Sequence, residues 1–187
     1  MLRPDFSTAR DARVVKTRKA LCAALLDLLK TQPLEKISIR RIVDEAGVGY
    51  NTFLRHYADK DAILDDIAAD EIRQLVSISV PVLEAEDTRA ACLAVCTYVA
   101  QNSHLWRILL TGGASAALRQ EFVRLSREVA ERRSSGKDWL PLDIAVILIT
   151  SATFELLAWW LGEADPVSVE QLAEIYHRVI VSPVIDP

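Results

Sequence analysis

Residues 38–60, SIRRIVDEAGVGYNTFLRHYADK, decide the fold. They begin with a predicted short helix, because apolar residues recur at the spacing of one buried helix face. Ser38 precedes this helix as an N-cap, whose hydroxyl accepts from a first-turn amide. Gly47 ends it, because glycine adopts the positive φ that a helix terminus often requires. The apolar positions are Ile39, Ile42, Val43 and Ala46.

A second short helix is predicted over residues 49–57, after a tight turn. Phe53 and Tyr57 are four residues apart and share its inner face. Asn51 and Arg55 fall on the opposite face, so this face carries side chains that donate or accept hydrogen bonds. Tyr50, Thr52 and Leu54 lie beside them.

This outer face has the chemistry of a helix that reads the DNA major groove. Arginine pairs with guanine, asparagine pairs with adenine, and a threonine methyl contacts the thymine methyl. The flanking cations suit phosphates, which fix register without reading sequence. The predicted DNA-binding residues are Arg40, Arg41, Gly49, Tyr50, Asn51, Thr52, Arg55, His56 and Lys60.

Three segments carry a family resemblance: RRIVDEAGV at 40–48, TFLRHY at 52–57 and KDAIL at 60–64. Together they resemble the DNA-binding domain of the TetR family of transcriptional regulators, and the resemblance runs from about residue 13 to residue 64. One position departs from the family pattern: relatives usually carry an aromatic residue, often tyrosine, where this chain has Leu54. In relatives that ring commonly touches a phosphate, and Tyr50 is the residue here that could partly replace it.

Charge is distributed unevenly along the 187 residues. The net charge is −4, which taken alone argues against a nucleic-acid-binding protein. Residues 1–60, however, hold 12 Lys/Arg against 7 Asp/Glu, whereas residues 61–187 hold 10 against 19. A basic N-terminal third on an acidic body confines the attraction for phosphate to the predicted helix-turn-helix.

The remaining pattern predicts helices throughout, with no strand and no internal repeat. Helix one is predicted over residues 13–30, and a long helix begins at residue 60, capped by Asp59 and stopped by Pro81. Ser168 and Gln171 form a capping box that opens the last helix. We predict an all-α fold of about nine helices. Its parts are a flexible arm at 1–12, a three-helix helix-turn-helix DNA-binding domain at 13–60 and a helical ligand-binding and dimerisation domain at 61–187.

Cations near the N-terminus have two readings. One hypothesis is that the N-terminal segment is an arm that contacts DNA through Arg3, Arg10 and Arg13. The other is that this segment is a disordered tail. The cations near the start of helix one, at the unfavourable end of the helix dipole, face phosphates or solvent. They are Lys16, Arg18 and Lys19.

Residues 139–161, WLPLDIAVILITSATFELLAWWL, are nearly all apolar. Their length suits a membrane span, but Asp143 and Glu155 lie inside the segment and no basic cytoplasmic flank stands at either end. A helix that is hydrophobic all round is buried in a core or against a partner. The apolar surface of the last two helices therefore indicates that they pair with a second copy in a homodimer, as is usual in the family. A two-fold dimer matches a palindromic double-stranded DNA operator.

The family resemblance implies a small-molecule effector. It would bind in a pocket formed by the helices between the DNA-binding domain and the dimer interface. Pockets are mostly apolar with a few placed polar groups. The candidate lining residues are Tyr98, His104, Trp106, Arg107, Phe122, Glu155 and Trp159.

Catalytic and metal-binding motifs are missing from the sequence: it has no His-Glu-x-x-His, no Gly-x-Ser-x-Gly and no glycine-rich phosphate loop. Cys92 and Cys96 are four residues apart, a spacing that allows a thiol sensor or a metal-binding pair. Their small apolar neighbours favour a third interpretation, in which both cysteines are buried and inert. Three cysteines form no disulfide framework, which fits a cytoplasmic protein. We predict no enzyme activity, no metal and no cofactor.

The leading interpretation is a dimeric, sequence-specific transcriptional regulator, a ligand-responsive repressor of TetR type. The alternatives are a helical small-molecule or protein interaction module that has lost DNA binding, and an enzyme in the C-terminal body. The Leu54 departure favours the first alternative.

Overall fold

The computed structural model describes residues 6–84, 87–133 and 140–185. Within these ranges the chain is helical with no strand, so the predicted all-α fold is confirmed. A short 3₁₀ turn, Leu34–Lys36, precedes the second helix. The helices are α1 (Phe6–Leu29), α2 (Ile39–Ala46), α3 (Tyr50–His56), α4 (Lys60–Glu84), α5 (Thr88–Gln101), α6 (Ser103–Thr111), α7 (Ser115–Arg133), α8 (Leu142–Gly162) and α9 (Val169–Ile175).

Two helix boundaries differ from their predictions. Helix α1 begins at Phe6 rather than at residue 13, so part of the predicted arm is helical. Helix α4 continues through Pro81 and ends at Glu84. Proline removes one backbone hydrogen bond at a cost of about 3 kcal/mol, but it does not force the chain out of the helix at once. Residues 1–5 of the predicted arm lie outside the described residues.

The chain divides into two compact units, residues 1–67 and 68–187. The predicted boundary lies between residues 60 and 61, whereas the structural division falls inside α4. Unit 1 has a core of apolar side chains from α1 to α4. Its fully buried members include Leu21, Leu25, Ile42, Phe53, Ile63 and Leu64.

Local signals in unit 1 match the observed helix ends. The Ser38 hydroxyl accepts from the Arg41 amide at 3.3 Å, so the predicted N-cap is confirmed. Gly47 ends α2 with a φ of 65°, where an L side chain would be strained. Asp59 caps α4 by accepting from the Ala62 amide at 2.8 Å. Gly47 therefore opens the tight turn that separates α2 from α3.

Unit 2 is organised around α8, which packs on α6, α7 and the C-terminal helix. That last helix begins with the predicted capping box at Ser168 and Gln171. It continues from α9 through a π-helical segment, Tyr176–Val181, into a final turn, Ser182–Ile185. The Tyr176 hydroxyl accepts from Thr153 at 3.2 Å beside this wider segment.

Helix α8 is two-faced rather than buried all round. Its inner face holds buried residues at helical spacing, whereas its opposite face is exposed in the single chain. By length and composition, α8 is the one helix of the described ranges that could cross a membrane. A core helix of a globular protein meets the same criteria, and the seven buried side chains of α8 fit that explanation. They are Val146, Thr150, Thr153, Phe154, Leu157, Trp160 and Leu161.

Candidate functional site

Helix α3 presents a polar face away from the core of unit 1. Phe53 is fully buried and Tyr57 is 6% exposed, so the apolar side of α3 is anchored as predicted. The two rings lie 6.1 Å apart. Asn51 and Arg55 are exposed on the other side. Among the described residues, neither side chain makes a hydrogen bond or ion pair, so both are available to a partner.

The residues around Asn51 and Arg55 extend this surface. Gly49 is the N-cap of α3, in extended backbone, and Thr52 is half-buried. Tyr50 and Leu54 are each 51% exposed, so both side chains can contact a partner. We call the exposed side of α3, residues 49–52 and 54–56, the α3 face.

Basic residues lie on and beside the α3 face, but they are not equally available to a partner. Arg40 and Arg41 are exposed on α2. His56 is half-buried, with its ring 6.5 Å from the Tyr57 ring. The Lys60 ammonium donates to the carbonyl oxygens of Leu34 at 2.7 Å and Ile37 at 3.3 Å. Because an ammonium has three donors, one N–H of Lys60 remains for a phosphate.

A hydrogen-bonded network that sequence reasoning missed lies behind α3. The Asp66 carboxylate accepts from the Tyr57 hydroxyl at 2.5 Å and from Arg18 Nε at 2.8 Å. Burial and the bond to Asp66 raise the pKa of Tyr57, so its hydroxyl stays protonated and donates. Arg18 therefore pairs with Asp66, a partner that neither of the two hypotheses for the cations of helix one included. The network ties α1 and α4 to the residue that ends α3.

In unit 2, the seven predicted pocket residues are not brought together. Tyr98 and Trp106 pack edge to face, with ring centroids 6.4 Å apart. Phe122 packs in the same manner on Phe154, at 5.3 Å. Trp106, Phe122 and Phe154 are buried, whereas Tyr98 is half-buried. His104 and Arg107 are exposed on α6.

Two of the predicted pocket residues lie on the exposed side of α8. Glu155 pairs with Arg119 at 2.9 Å, with its side chain 76% exposed, and Trp159 is 46% exposed. The reason is their register: both fall opposite the buried residues of α8. A nearly all-apolar sequence does not reveal this register, and neither residue lines the interior of unit 2.

Exposed apolar side chains cluster on the last two helices. On α8 they recur at spacings of three and four residues, in line with Trp159. We call this set the α8–α9 face. Its members are Ile144, Ile147, Leu148 and Trp159 on α8, with Ile175 and Val179 on the C-terminal helix.

The cysteine pair lies inside unit 2. Cys92 and Cys96 are 2% and 0% exposed, and burial raises the pKa of each thiol to about 12. Both thiols are therefore protonated at neutral pH, which agrees with the interpretation that these cysteines are buried and inert. In the described ranges, no group of three or more His, Cys, Asp or Glu side chains is arranged to hold a metal ion.

Comparison with known proteins begins with the helix-turn-helix. Residues 21–67 match the model of the family described as bacterial regulatory proteins, tetR family. The match covers the α1 core, the α2–turn–α3 unit and the start of α4. It therefore includes every residue of the α3 face.

Solved structures extend the likeness to almost the whole chain. A putative TetR-family regulator from Syntrophomonas wolfei is 21% identical, with a TM-score of 0.70 over 90% of this chain and 95% of that one. FadR from Thermus thermophilus, a repressor solved with lauroyl-CoA, is 17% identical, with a TM-score of 0.68 over 91% and 96%. A TetR regulator from Streptococcus agalactiae is 22% identical, with a TM-score of 0.62 over 91% and 96%. These likenesses concern the fold. Residues 21–67 therefore match the domain of the tetR regulatory family, and almost the whole chain shares the fold of these solved regulators.

Proposed function

We propose that two copies of this chain form a cytoplasmic repressor that binds a palindromic operator and releases it when a small-molecule effector binds. The observation that carries the proposal is the α3 face. Asn51 and Arg55 point outward from a helix whose other side is anchored by a fully buried Phe53. Exposed polar groups without internal partners on a rigid helix suit base-edge recognition.

The residues of the α3 face and its border divide into two roles. We assign Asn51, Thr52 and Arg55 to base edges, because these side chains pair with specific bases. The other predicted DNA-binding residues position the helix on phosphates. They are Arg40, Arg41, Gly49, Tyr50, His56 and Lys60, with Gly49 contributing only backbone.

Dimerisation through the α8–α9 face supports the same proposal. Six large apolar side chains on two contacting helices, between 36% and 68% exposed in the single chain, are of the kind that a protein interface buries. A two-fold axis would set this face against its own copy, since such interfaces are self-complementary. Two copies would then present two α3 faces to two half-sites.

An effector would bind unit 2 and lower the affinity for DNA. It does so only if it binds more tightly to a conformer that does not fit the operator. The interior aromatic pairs Tyr98–Trp106 and Phe122–Phe154 offer apolar surface for such a molecule. Glu155 and Trp159 lie outside this proposed pocket, on the exposed side of α8.

Asn51→Ala and Arg55→Ala test the base-reading role. Each is expected to lower the affinity for the operator by about 1–3 kcal/mol while leaving binding to random duplex nearly unchanged. Arg40→Ala is the control, because loss of a phosphate contact weakens binding to all sequences alike. Fluorescence anisotropy with duplexes from the region upstream of the gene gives both affinities. Equal losses on operator and random DNA would instead assign Asn51 and Arg55 to phosphates.

Leu54→Tyr tests whether the family departure weakens DNA binding. Leu54 is 51% exposed on the α3 face, so a tyrosine ring fits without disturbing the core. We expect its hydroxyl to add one phosphate contact, worth about 0.5–1.5 kcal/mol on operator and random duplex alike. Leu54→Phe, which adds the ring without the hydroxyl, is the matched control. An equal gain from Phe would show that ring contact, not a hydrogen bond, is responsible.

A further inference from the structure

Glu71 is a half-buried carboxylate in the interior-facing stripe of α4, within unit 2. Its Oε2 accepts a hydrogen bond from the Tyr98 hydroxyl at 2.8 Å. None of the ion pairs among the described residues includes Glu71. The nearest arginine in sequence, Arg73, pairs instead with Asp70 and with Glu121. A partly desolvated carboxylate is thus left without a cation, an arrangement that costs free energy.

Trp106 supplies the second observation. Its ring is 0% exposed and packs edge to face with Tyr98. Burial raises the pKa of the Glu71 carboxyl, and the Tyr98 hydroxyl and the nearby indole N–H of Trp106 offset part of that rise. Yet Trp106 Nε1 makes no hydrogen bond of ordinary length and angle. Buried polar atoms are nearly always paired, so an unpaired one beside an uncompensated carboxylate indicates a place for a ligand group.

The surroundings select the chemical class of that group. Glu71 attracts a positive charge, because no arginine or lysine of the described chain neutralises it. Glu71 and Tyr98 are both half-buried and so keep some contact with solvent, whereas Trp106 is 0% exposed. A carboxylate beside electron-rich rings is the combination that binds organic ammonium ions. The indole N–H of Trp106, which makes no hydrogen bond of ordinary length and angle, can in addition donate to an oxygen next to the nitrogen of the ligand.

We propose that Glu71, Tyr98 and Trp106 form the polar anchor of an effector site that takes an organic ammonium ion with an attached aromatic or aliphatic group. The ammonium bonds to the Glu71 carboxylate, and its apolar part lies against the two rings. This deepens the proposed function, since it names the class of effector to which the regulator responds.

Three small phenylalkyl probes that differ in charge separate the contribution of charge from that of ring contact. They are 2-phenylethylammonium, the neutral 2-phenylethanol and the anionic 3-phenylpropanoate. Each is titrated into the full chain without DNA, by tryptophan fluorescence and by the shift in melting temperature. We expect the ammonium ion to bind more tightly than the alcohol by about 10- to 100-fold, the range of a charge-assisted hydrogen bond, and the anion not to bind.

Glu71→Gln is the decisive variant. It keeps an oxygen that accepts from Tyr98 and removes only the charge, so the fold is retained. Asp70→Asn is the matched control, because it removes the same charge from the adjacent residue, whose side chain is 66% exposed. We expect E71Q to bind the ammonium ion no better than the alcohol, and D70N to behave as wild type. Equal affinity of wild type for ammonium and alcohol, or undiminished ammonium binding by E71Q, would overturn the proposal.

DNA is absent from these titrations, so failure of the proposed ligand site and failure of DNA binding are read separately. Adding 2-phenylethylammonium to the operator complex then asks whether occupancy releases DNA. Release by wild type and D70N, but not by E71Q, would support the effector role. Binding in solution without release would leave the site in place but overturn its role as an effector site.

Discussion

Replacing Ile147 by glutamate is expected to convert the proposed dimer into a monomer. Ile147 is 59% exposed in the single chain, so the change should leave the fold of each chain intact. In the dimer the same side chain would be buried against the α8–α9 face of the other copy. There an unpaired carboxylate from each chain has no compensating partner. Light scattering after size-exclusion chromatography measures the mass directly.

The same variant should lose most of its operator affinity. Two linked reading helices bind more tightly than one by about 10²–10⁴-fold, so that factor should disappear with the dimer. Leu93→Glu is the matched control, because Leu93 is another exposed apolar residue, on α5, and lies outside the α8–α9 face. A dimeric Ile147→Glu protein, or a monomeric Leu93→Glu protein, would show that the interface lies elsewhere.

Replacing Phe53 by alanine is the second change with a large expected effect. Phe53 is 0% exposed and lies between the rings of Tyr50 and Tyr57, at 6.4 and 6.1 Å. Removing the ring leaves a cavity beneath α3, which should destabilise unit 1 by about 3–5 kcal/mol. Hydrogen exchange is the appropriate measurement, because it reports each unit separately. Amides of α2 and α3 should exchange faster, while those of α8 remain protected.

Phe53→Leu provides the control for that change. Leucine keeps much of the volume and apolar character, so we expect a loss of less than about 1.5 kcal/mol. Both variants should retain the dimer, because the α8–α9 face belongs to unit 2. Unchanged exchange in α3 of Phe53→Ala would contradict its role as the anchor of the α3 face.

Local chemistry explains why the helix-turn-helix could be predicted from sequence. Ser38, Gly47 and Asp59 act on backbone groups within three residues, so their roles depend little on distant parts of the chain. The inner and outer faces of α3 follow from the 3.6-residue period. The position of Asn51 and Arg55 on the exposed side therefore agrees with the pattern.

Contacts between distant residues could not be predicted in this way. Arg18 and Asp66 are 48 residues apart, and nothing near either residue identifies the other as its partner. Glu71 is visible in the sequence as an acidic residue within an apolar stripe. Its surroundings, however, are formed by Tyr98 and Trp106 from two other helices, which the sequence does not identify. In α8 the apolar residues are so numerous that their period is lost. The sequence therefore could not separate the buried face from the exposed one that holds Trp159.

The most direct test is a titration of a labelled duplex from the upstream region, followed by anisotropy and by sedimentation to give stoichiometry. We expect saturation at two chains for each palindromic site and much weaker binding to random duplex. The affinity should fall steeply as salt rises, because phosphate contacts release counterions. One chain per site, or equal affinity for operator and random duplex at every salt concentration, would contradict a dimeric reader built on the α3 face.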